Sequence, residues 1–201
     1  MMLNSLALTE LLSKNTDQRL CKRWALITPN GTLVAYSKPT NIRDLRKQAA
    51  TAALSWQEHS EQQSSAISPD TEEPRSPGSI APSILRTLTL ETDKSNVIIR
   101  KVQPKLLLVL EGGVPPRRRG FEHRVTAEGP GDAPYPAPED CTAGSVPGSS
   151  ASSVAESTRT TASLGILGMQ RRKLDALASA IAQDFEKTGF RMPDEGSTKY
   201  F

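Results

Sequence analysis

Residues 105–111 read Lys-Leu-Leu-Leu-Val-Leu-Glu, and two glycines, Gly112 and Gly113, follow directly. The apolar run is far shorter than the ~20 residues that a membrane-spanning helix needs. A strand with one wet face alternates apolar and polar residues, whereas this run has no polar residue between its ends. Its short length and the glycines also disfavour a segment of buried helix. We therefore predict a central strand covered on both faces, with strands beside it and helices above and below.

The composition of the chain indicates a core smaller than its length. Of 201 residues, 36% are hydrophobic and 4% aromatic, whereas ordinary globular domains are roughly 45–50% apolar. Polar residues are concentrated at 58–82 and 112–163, two segments rich in Ser, Pro, Gly or Glu that we predict to be flexible insertions. We expect a single domain over 1–188, interrupted by these two insertions, and a loose C-terminal tail at 189–201.

Charge and cysteine content argue against several classes of protein. The net charge is only +3, and the densest basic cluster is Arg117, Arg118 and Arg119, so we predict no binding to nucleic acid. The two cysteines, Cys21 and Cys141, form no Cys-x-x-Cys motif, which favours a reduced, cytoplasmic protein. The chain shows no signal peptide or lipidation motif, so we expect no direct membrane insertion and any membrane attachment to come from a partner.

Periodicity predicts three helices and five strands. Asn30 and Gly31 lie between two β-rich runs and predict a hairpin, and Asn41 is suited to cap the helix that follows. The predicted fold is α/β (α+β), with a mostly antiparallel five-stranded sheet between a middle helix and two terminal helices, in the order α-β-β-α-β-β-β-α. The predicted helices are 6–12, 42–58 and 164–187, and the predicted strands are 23–28, 32–37, 83–91, 97–102 and 105–111.

Several short motifs occur in an order and spacing that together are distinctive. They are residues 7–13 with Asn15 and Thr16, residues 30–37, residues 44–46 with Ala49, Ala50 and Trp56, residues 106–108, and Gly168 with Met169. This pattern resembles the roadblock/dynein light chain family. Within that family it is similar to the smaller roadblock subunits of the late endosomal/lysosomal adaptor complex (Ragulator), with long, fungal-type loop insertions.

The resemblance implies a roadblock-like fold and a non-catalytic scaffold or adaptor. Such a subunit pairs with a second roadblock-domain protein, and we expect a heterodimer. Within a larger scaffold it recruits Rag-type small GTPases for TOR and MAP kinase signalling. The resemblance places this assembly on the cytosolic face of the late endosomal or lysosomal (vacuolar) membrane, where a lipidated partner holds it.

The resemblance also implies that pairing uses the middle helix and the strand after it. Small residues on the helix would permit close packing, and an edge strand at residues 83–91 would offer unpaired backbone groups to a partner strand. Trp56 is expected to be a core or interface anchor. The predicted interface consists of Arg46, Ala49, Ala50, Ala53, Trp56, Ile84, Arg86, Leu88 and Leu90.

The sequence carries no pattern typical of an enzyme. The two histidines, His59 and His123, lie in predicted loops without other metal ligands at suitable spacing. No phosphate-binding glycine motif follows a strand, so we predict no catalytic residue, cofactor or metal. Two other binding modules stay open as alternatives: a dynein light chain-type cargo adaptor, and a longin-like vesicle-tethering module. The helix before the hairpin favours a roadblock-like domain, because longin chains typically open with strands.

Overall fold

The computed structural model describes residues 3–66, 85–115, 123–136 and 154–192. Within these ranges the chain forms three helices and a six-stranded sheet. The elements in chain order are α1 (Ser5–Lys14), β1 (Cys21–Ile27), β2 (Leu33–Tyr36), α2 (Ile42–Ala66), β3 (Thr87–Glu91), β4 (Asn96–Gln103), β5 (Leu106–Gly112), β6 (Arg124–Glu128) and α3 (Val154–Thr188).

The predicted central strand lies inside the sheet, where it pairs antiparallel with β1 on one side and β4 on the other. The strand order is β2-β1-β5-β4-β3-β6, and every pairing between these strands is antiparallel. Leu108 of β5 stands opposite Leu26 of β1 and Arg100 of β4. The predicted fold class is confirmed, with one strand more than the sequence predicts.

The apolar run of β5 is buried on both faces, as its sequence predicts. Leu106, Leu108 and Leu110 pack in a core layer with α1 and α3. Leu107 and Val109 pack in the opposite layer with α2. Because successive side chains of a strand point to opposite faces, one apolar run serves both layers. Full burial of each leucine contributes roughly 1.5–3 kcal/mol relative to exposure.

Helix α2 covers one face of the sheet with an alanine-rich stripe. Leu45, Ala49, Ala52 and Trp56 are all buried against the sheet. The Asn41 side chain accepts a 3.0 Å hydrogen bond from the Arg43 amide, which caps the start of the helix as predicted.

The hairpin between β1 and β2 turns close to α2. Gly31 has a positive φ of 84°, as the hairpin prediction requires. A Cβ placed on Gly31 would lie 3.5 Å from the Cα of Ala50 and 3.5 Å from the Cβ of Ala53. The β1–β2 hairpin of the same chain therefore already packs against Ala50 and Ala53 of α2.

The structure corrects parts of the two predicted insertions and of the tail. Helix α2 continues to Ala66, β6 lies within the predicted insertion at 112–163, and α3 begins at Val154. Phe190 is only 9% exposed, and its ring lies 5.0 Å from that of Phe185, so the tail does not become loose at residue 189. The remaining parts of the predicted insertions and tail lie outside the described residues.

The prediction that residues 83–91 form a sheet edge is wrong. Strand β3 pairs with β4 on one side and with β6 on the other, over five residue pairs in each case. The sheet therefore ends at β6 and at β2. A five-residue strand surrounded by Gly and Pro carries little local signal, and here its pairing with β3 holds it in place.

Candidate protein-interaction surface

The outer face of α2 is the side of the helix opposite its alanine-rich stripe. Leu54 on this face is 67% exposed, whereas Ile42, seven residues before Ala49 and so on the side of the inner stripe, is 38% exposed. Arg46 and Ala50 are also exposed. Since the inner stripe faces the sheet, Leu54 lies on the free side of the helix, while the β1–β2 hairpin lies beside Ala50. Large exposed apolar side chains on a helix face are a common feature of protein-binding surfaces.

The predicted interface residues of α2 divide between two opposite faces. Ala49, Ala53 and Trp56 are 2%, 4% and 3% exposed, because they belong to the inner face. Arg46 and Ala50 point outward and stay available to a partner. Leu54 was not among the predicted residues, although its spacing of four from Ala50 places both on the same face.

The predicted interface residues of the strand region divide in a similar way. Leu88 is fully buried beneath α2, and Leu90 is partly buried against the same layer. Arg86 is exposed just before β3. Ile84 lies outside the described residues. The backbone edge that was expected to meet a partner strand is occupied by β6.

Charge is distributed unevenly along the outer face of α2. The first turns expose three basic residues and one acidic residue, and the later turns expose two acidic residues: Arg43, Arg46, Lys47 and Asp44, then Glu58 and Glu61. If two such helices packed antiparallel, the basic end of one would face the acidic end of the other. This arrangement favours antiparallel pairing through opposite charges, although exposed ion pairs contribute only about 0–1 kcal/mol each.

A buried polar cluster joins β6 to α3 and β3. Both terminal nitrogens of the Arg171 guanidinium donate to the Glu128 carboxylate at 2.7 Å, and one also donates to the Thr87 hydroxyl at 3.2 Å. Arg171 is 5% exposed and Glu128 is 4% exposed. Burial lowers the pKa of Arg171, but the hydrogen bonds and charge of Glu128, with Asp175, outweigh it and raise the pKa overall. Arg171 therefore stays charged.

Tyr135 adds a second polar link between β6 and β3. Its hydroxyl donates to Glu91 at 2.7 Å and accepts from Arg124 at 3.0 Å. Its backbone amide donates to Glu128 at 3.2 Å. Burial, together with the hydrogen bond to Glu91, raises the pKa of Tyr135, so the hydroxyl keeps its proton at neutral pH. These contacts tie β6 down at both ends.

Groups that often carry chemistry are placed apart from one another. Cys21 is fully buried, and burial raises the pKa of its thiol to about 11, which makes it a poor nucleophile at neutral pH. His59 lies in α2 rather than in a loop, with Nδ1 2.8 Å from the Ser55 carbonyl oxygen. Among the described residues, no three His, Cys, Asp or Glu side chains are grouped as metal ligands.

An open groove of about 310 Å³ lies between α1 and the end of α3. Its walls are mainly apolar and include Leu8, Phe185 and Phe190, with the Asp184 carboxylate at the rim. No helix in the described part of the chain combines the length and apolarity that crossing a membrane requires.

No family model matches the chain, and no curated protein matches it. Among solved structures, the fold is similar to a Roadblock/LC7 domain from Streptomyces avermitilis, with 11% identity, 53% of this chain and 76% of that chain covered, and a TM-score of 0.39. It is also similar to MglB from Myxococcus xanthus, with 12% identity, 96% and 98% covered, and a TM-score of 0.49. A structure described as MglB with tetrameric arrangement has 13% identity, 92% and 94% covered, and a TM-score of 0.42. These likenesses concern the fold alone.

Proposed function

We propose that this chain is a non-catalytic adaptor subunit that pairs with another roadblock-domain protein through the outer face of α2. The observation that carries the proposal is the 67% exposure of Leu54 beside Ala50 on a helix whose other face is buried. An apolar side chain this exposed loses its contact with water when a partner helix packs over it, which favours association. The separated charges of the helix favour an antiparallel arrangement.

The proposed interface is narrower than the one inferred from the sequence. It retains Arg46 and Ala50, adds Leu54, and leaves Ala49, Ala53 and Trp56 in the core of the chain. Arg86 is exposed just before β3 and is available to the same partner.

We further propose that the paired chain helps recruit Rag-type small GTPases at the cytosolic face of late endosomal, lysosomal or vacuolar membranes, in TOR and MAP kinase signalling. The sequence motifs shared with the smaller roadblock subunits of Ragulator support this step. Attachment to the membrane would come from a lipidated partner.

The test is the mass of the purified chain in solution, together with tagged capture from its own cells. A stable one-to-one complex with a second small α/β protein, accompanied by Ras-like GTPases, supports the proposal. Capture of motor subunits instead of GTPases would point to a cargo adaptor. A clean monomer that captures neither protein overturns the proposal and favours a longin-like module.

Two matched variants locate the interface. Ala50→Glu places a charge on the outer face of α2 and should weaken pairing by about tenfold or more, because a buried unpaired charge is costly. Ala180→Glu makes the same change at an exposed position of α3 and should leave pairing unchanged. Full pairing of the Ala50→Glu variant would show that α2 is not the interface.

A further inference from the structure

The groove between α1 and the end of α3 is apolar apart from its rim. The rings of Phe185 and Phe190 form one wall, and Leu8 and Leu11 of α1 form the other. Among the described residues that line the groove, Asp184 is the only charged one. The volume of about 310 Å³ lies at the lower end of the roughly 300–1,000 Å³ of ligand-binding clefts. The groove therefore suits an apolar occupant that carries one positive charge.

The end of α3 places the chain directly at this groove. Gly189 has a positive φ of 63°, and its amide donates to the Glu186 carbonyl oxygen at 3.2 Å. The Phe190 amide donates to the Phe185 carbonyl oxygen at 2.9 Å. These two hydrogen bonds and the 5.0 Å contact between the two phenylalanine rings form a Schellman motif, which ends the helix. The chain thus leaves α3 with Phe190 already on the wall of the groove.

Gln103 of β4 holds the residues that follow. Its side-chain amide donates to the Phe190 carbonyl oxygen at 3.0 Å, and its side-chain oxygen accepts from the Met192 amide at 3.3 Å. Met192 is half-buried against the same apolar cluster that contains the groove walls. The segment after Met192 therefore starts from a fixed position, two residues beyond the groove wall.

The composition of that segment matches the groove. Residues 193–201 read Pro-Asp-Glu-Gly-Ser-Thr-Lys-Tyr-Phe. Their only aromatic residues are Tyr200 and Phe201, and their only basic residue, Lys199, comes directly before them. One cation beside two aromatic rings is complementary to an apolar groove with the Asp184 carboxylate at its rim. The two acidic residues, which this carboxylate would repel, lie nearer the start of the segment.

The length of the segment also permits this match. The nine residues after Met192 reach at most about 30 Å, at roughly 3.3–3.6 Å per residue. The groove follows α1 from Asn4 to Leu11, which is about 10 Å at roughly 1.5 Å per residue. The segment can therefore reverse direction at Gly196 and still bring its aromatic residues back to the groove.

We propose that Tyr200 and Phe201 dock in the groove between α1 and α3 of their own chain, with Lys199 beside Asp184. The two aromatic side chains supply most of the attraction, since each buries about 150–250 Å² of surface. The exposed ion pair adds little to this attraction but sets the orientation of the segment.

Docking within one chain is favoured over docking between copies. A short flexible connection gives the segment an effective concentration in the millimolar range at its own groove. The docked segment closes an apolar surface on the face of the sheet opposite α2. It can do so whether or not the chain pairs through α2 or recruits a GTPase.

Two changes remove the docked segment without altering the core. Tyr200→Ala combined with Phe201→Ala removes both rings. Ala7→Arg adds bulk and a positive charge at an exposed position that lines the groove. Ser5→Arg is the matched control, because Ser5 is exposed in the same first turn of α1 but does not line the groove.

Nuclear magnetic resonance of the full chain measures docking at several protein concentrations. In the unchanged chain and in Ser5→Arg, the order parameter of the Tyr200 amide should exceed about 0.6, and it should fall below about 0.6 in Ala7→Arg. Nuclear Overhauser contacts from the Phe201 ring to the methyl groups of Leu8 or Leu11 should be lost together with this order.

A synthetic peptide with the sequence of residues 196–201 gives a second measurement. It should bind the chain that carries Tyr200→Ala and Phe201→Ala at least about tenfold more tightly than the unchanged chain, whose own segment competes for the groove. Adding Ala7→Arg to that variant should abolish binding. Fluorescence anisotropy of the labelled peptide measures both results.

Three results would overturn the proposal. They are a Tyr200 order parameter below about 0.6 in the unchanged chain, equal binding of the peptide with and without the two tail substitutions, and contacts that appear only as the protein concentration rises. The last result would assign the docking to a second copy.

Discussion

The centre and the outer edge of the sheet are held together by different kinds of interaction. At the centre, Leu26, Leu108 and Leu110 are fully buried and belong to one apolar cluster. At the edge, Arg171 and Glu128 hold β6 through charged hydrogen bonds. Apolar burial tolerates many partners, whereas charged bonds require particular atoms at particular distances. The centre is therefore held by apolar packing, and the edge depends in addition on a specific set of charged hydrogen bonds.

The largest effect is expected at the centre. Leu108→Ala should lower the free energy of unfolding by about 2–5 kcal/mol, since a buried strand in mid-sheet cannot move to fill the cavity. Urea denaturation measures this loss. Leu6→Ala is the control: Leu6 is 78% exposed, so its removal should change stability by no more than about 0.5 kcal/mol. Equal effects at the two sites would contradict the two-sided burial of β5.

Gly113, directly after β5, should be nearly as sensitive to substitution as the centre of the sheet. A Cβ on Gly113 would collide with the backbone oxygen of Arg19, so Gly113→Ala must displace backbone. We expect a loss toward the upper end of about 1–3 kcal/mol, seen as a lower melting temperature. Gly165→Ala is the matched control. It has no neighbour within 4 Å of the added Cβ, and in a helix it should stabilise by roughly 0.5–1 kcal/mol.

Substitutions at the β6 edge of the sheet are expected to lower the free energy of unfolding by less. Breaking a buried ion pair on one side costs about 3–5 kcal/mol where the structure cannot relax. An edge strand such as β6 has one side open, so it can shift enough to bring Glu128 toward water, and Arg171→Met should cost only about 1–3 kcal/mol. Arg171→Met combined with Glu128→Met should recover most of the loss, because both charges are then gone. A loss in Arg171→Met as large as that of Leu108→Ala would show that β6 is an inseparable part of the core.

The smallest effect depends on pH and concerns the buried thiol of Cys21. Its pKa rises from 9.0 to about 11 on folding. Between these values the unfolded chain releases the thiol proton first, so rising pH favours unfolding; below pH ~9 the thiol has no effect. At about pH 10 the loss should be about 1.4 kcal/mol. Denaturation curves of the unchanged chain and of Cys21→Ala, measured over this pH range, isolate the contribution of the thiol to stability. Parallel pH profiles for the two proteins would contradict the prediction.

Several features follow from local sequence because local physical rules specify them. The unbroken apolar run of β5 predicted burial on both faces, and the structure confirms it. Gly31 and Asn41 take the turn and cap roles expected of their residue types. The inner stripe of α2 followed from helical spacing. Ala49 is buried on the inner face and Ala50 is exposed, so only Ala50 is accessible to a partner.

The edge of the sheet was not predictable in the same way. Its closing bond joins Arg171 to Glu128, which are 43 residues apart in the chain, and neither residue carries a local signal of that contact. The alternating Arg-Val-Thr-Ala-Glu pattern of β6 was the available indication, but the surrounding Gly and Pro suggested an irregular segment.

The sequence by itself determined the order of the three helices and the first five strands, the central strand and the hairpin, because apolar periodicity and turn residues act over a few neighbouring positions. Only the tertiary structure decided which strand lies at the edge, which alanines of α2 face outward, and which carboxylate meets Arg171. These depend on contacts between distant segments, since a strand of weak local preference is held by its partners. The surface offered to other proteins is therefore a property of the folded chain.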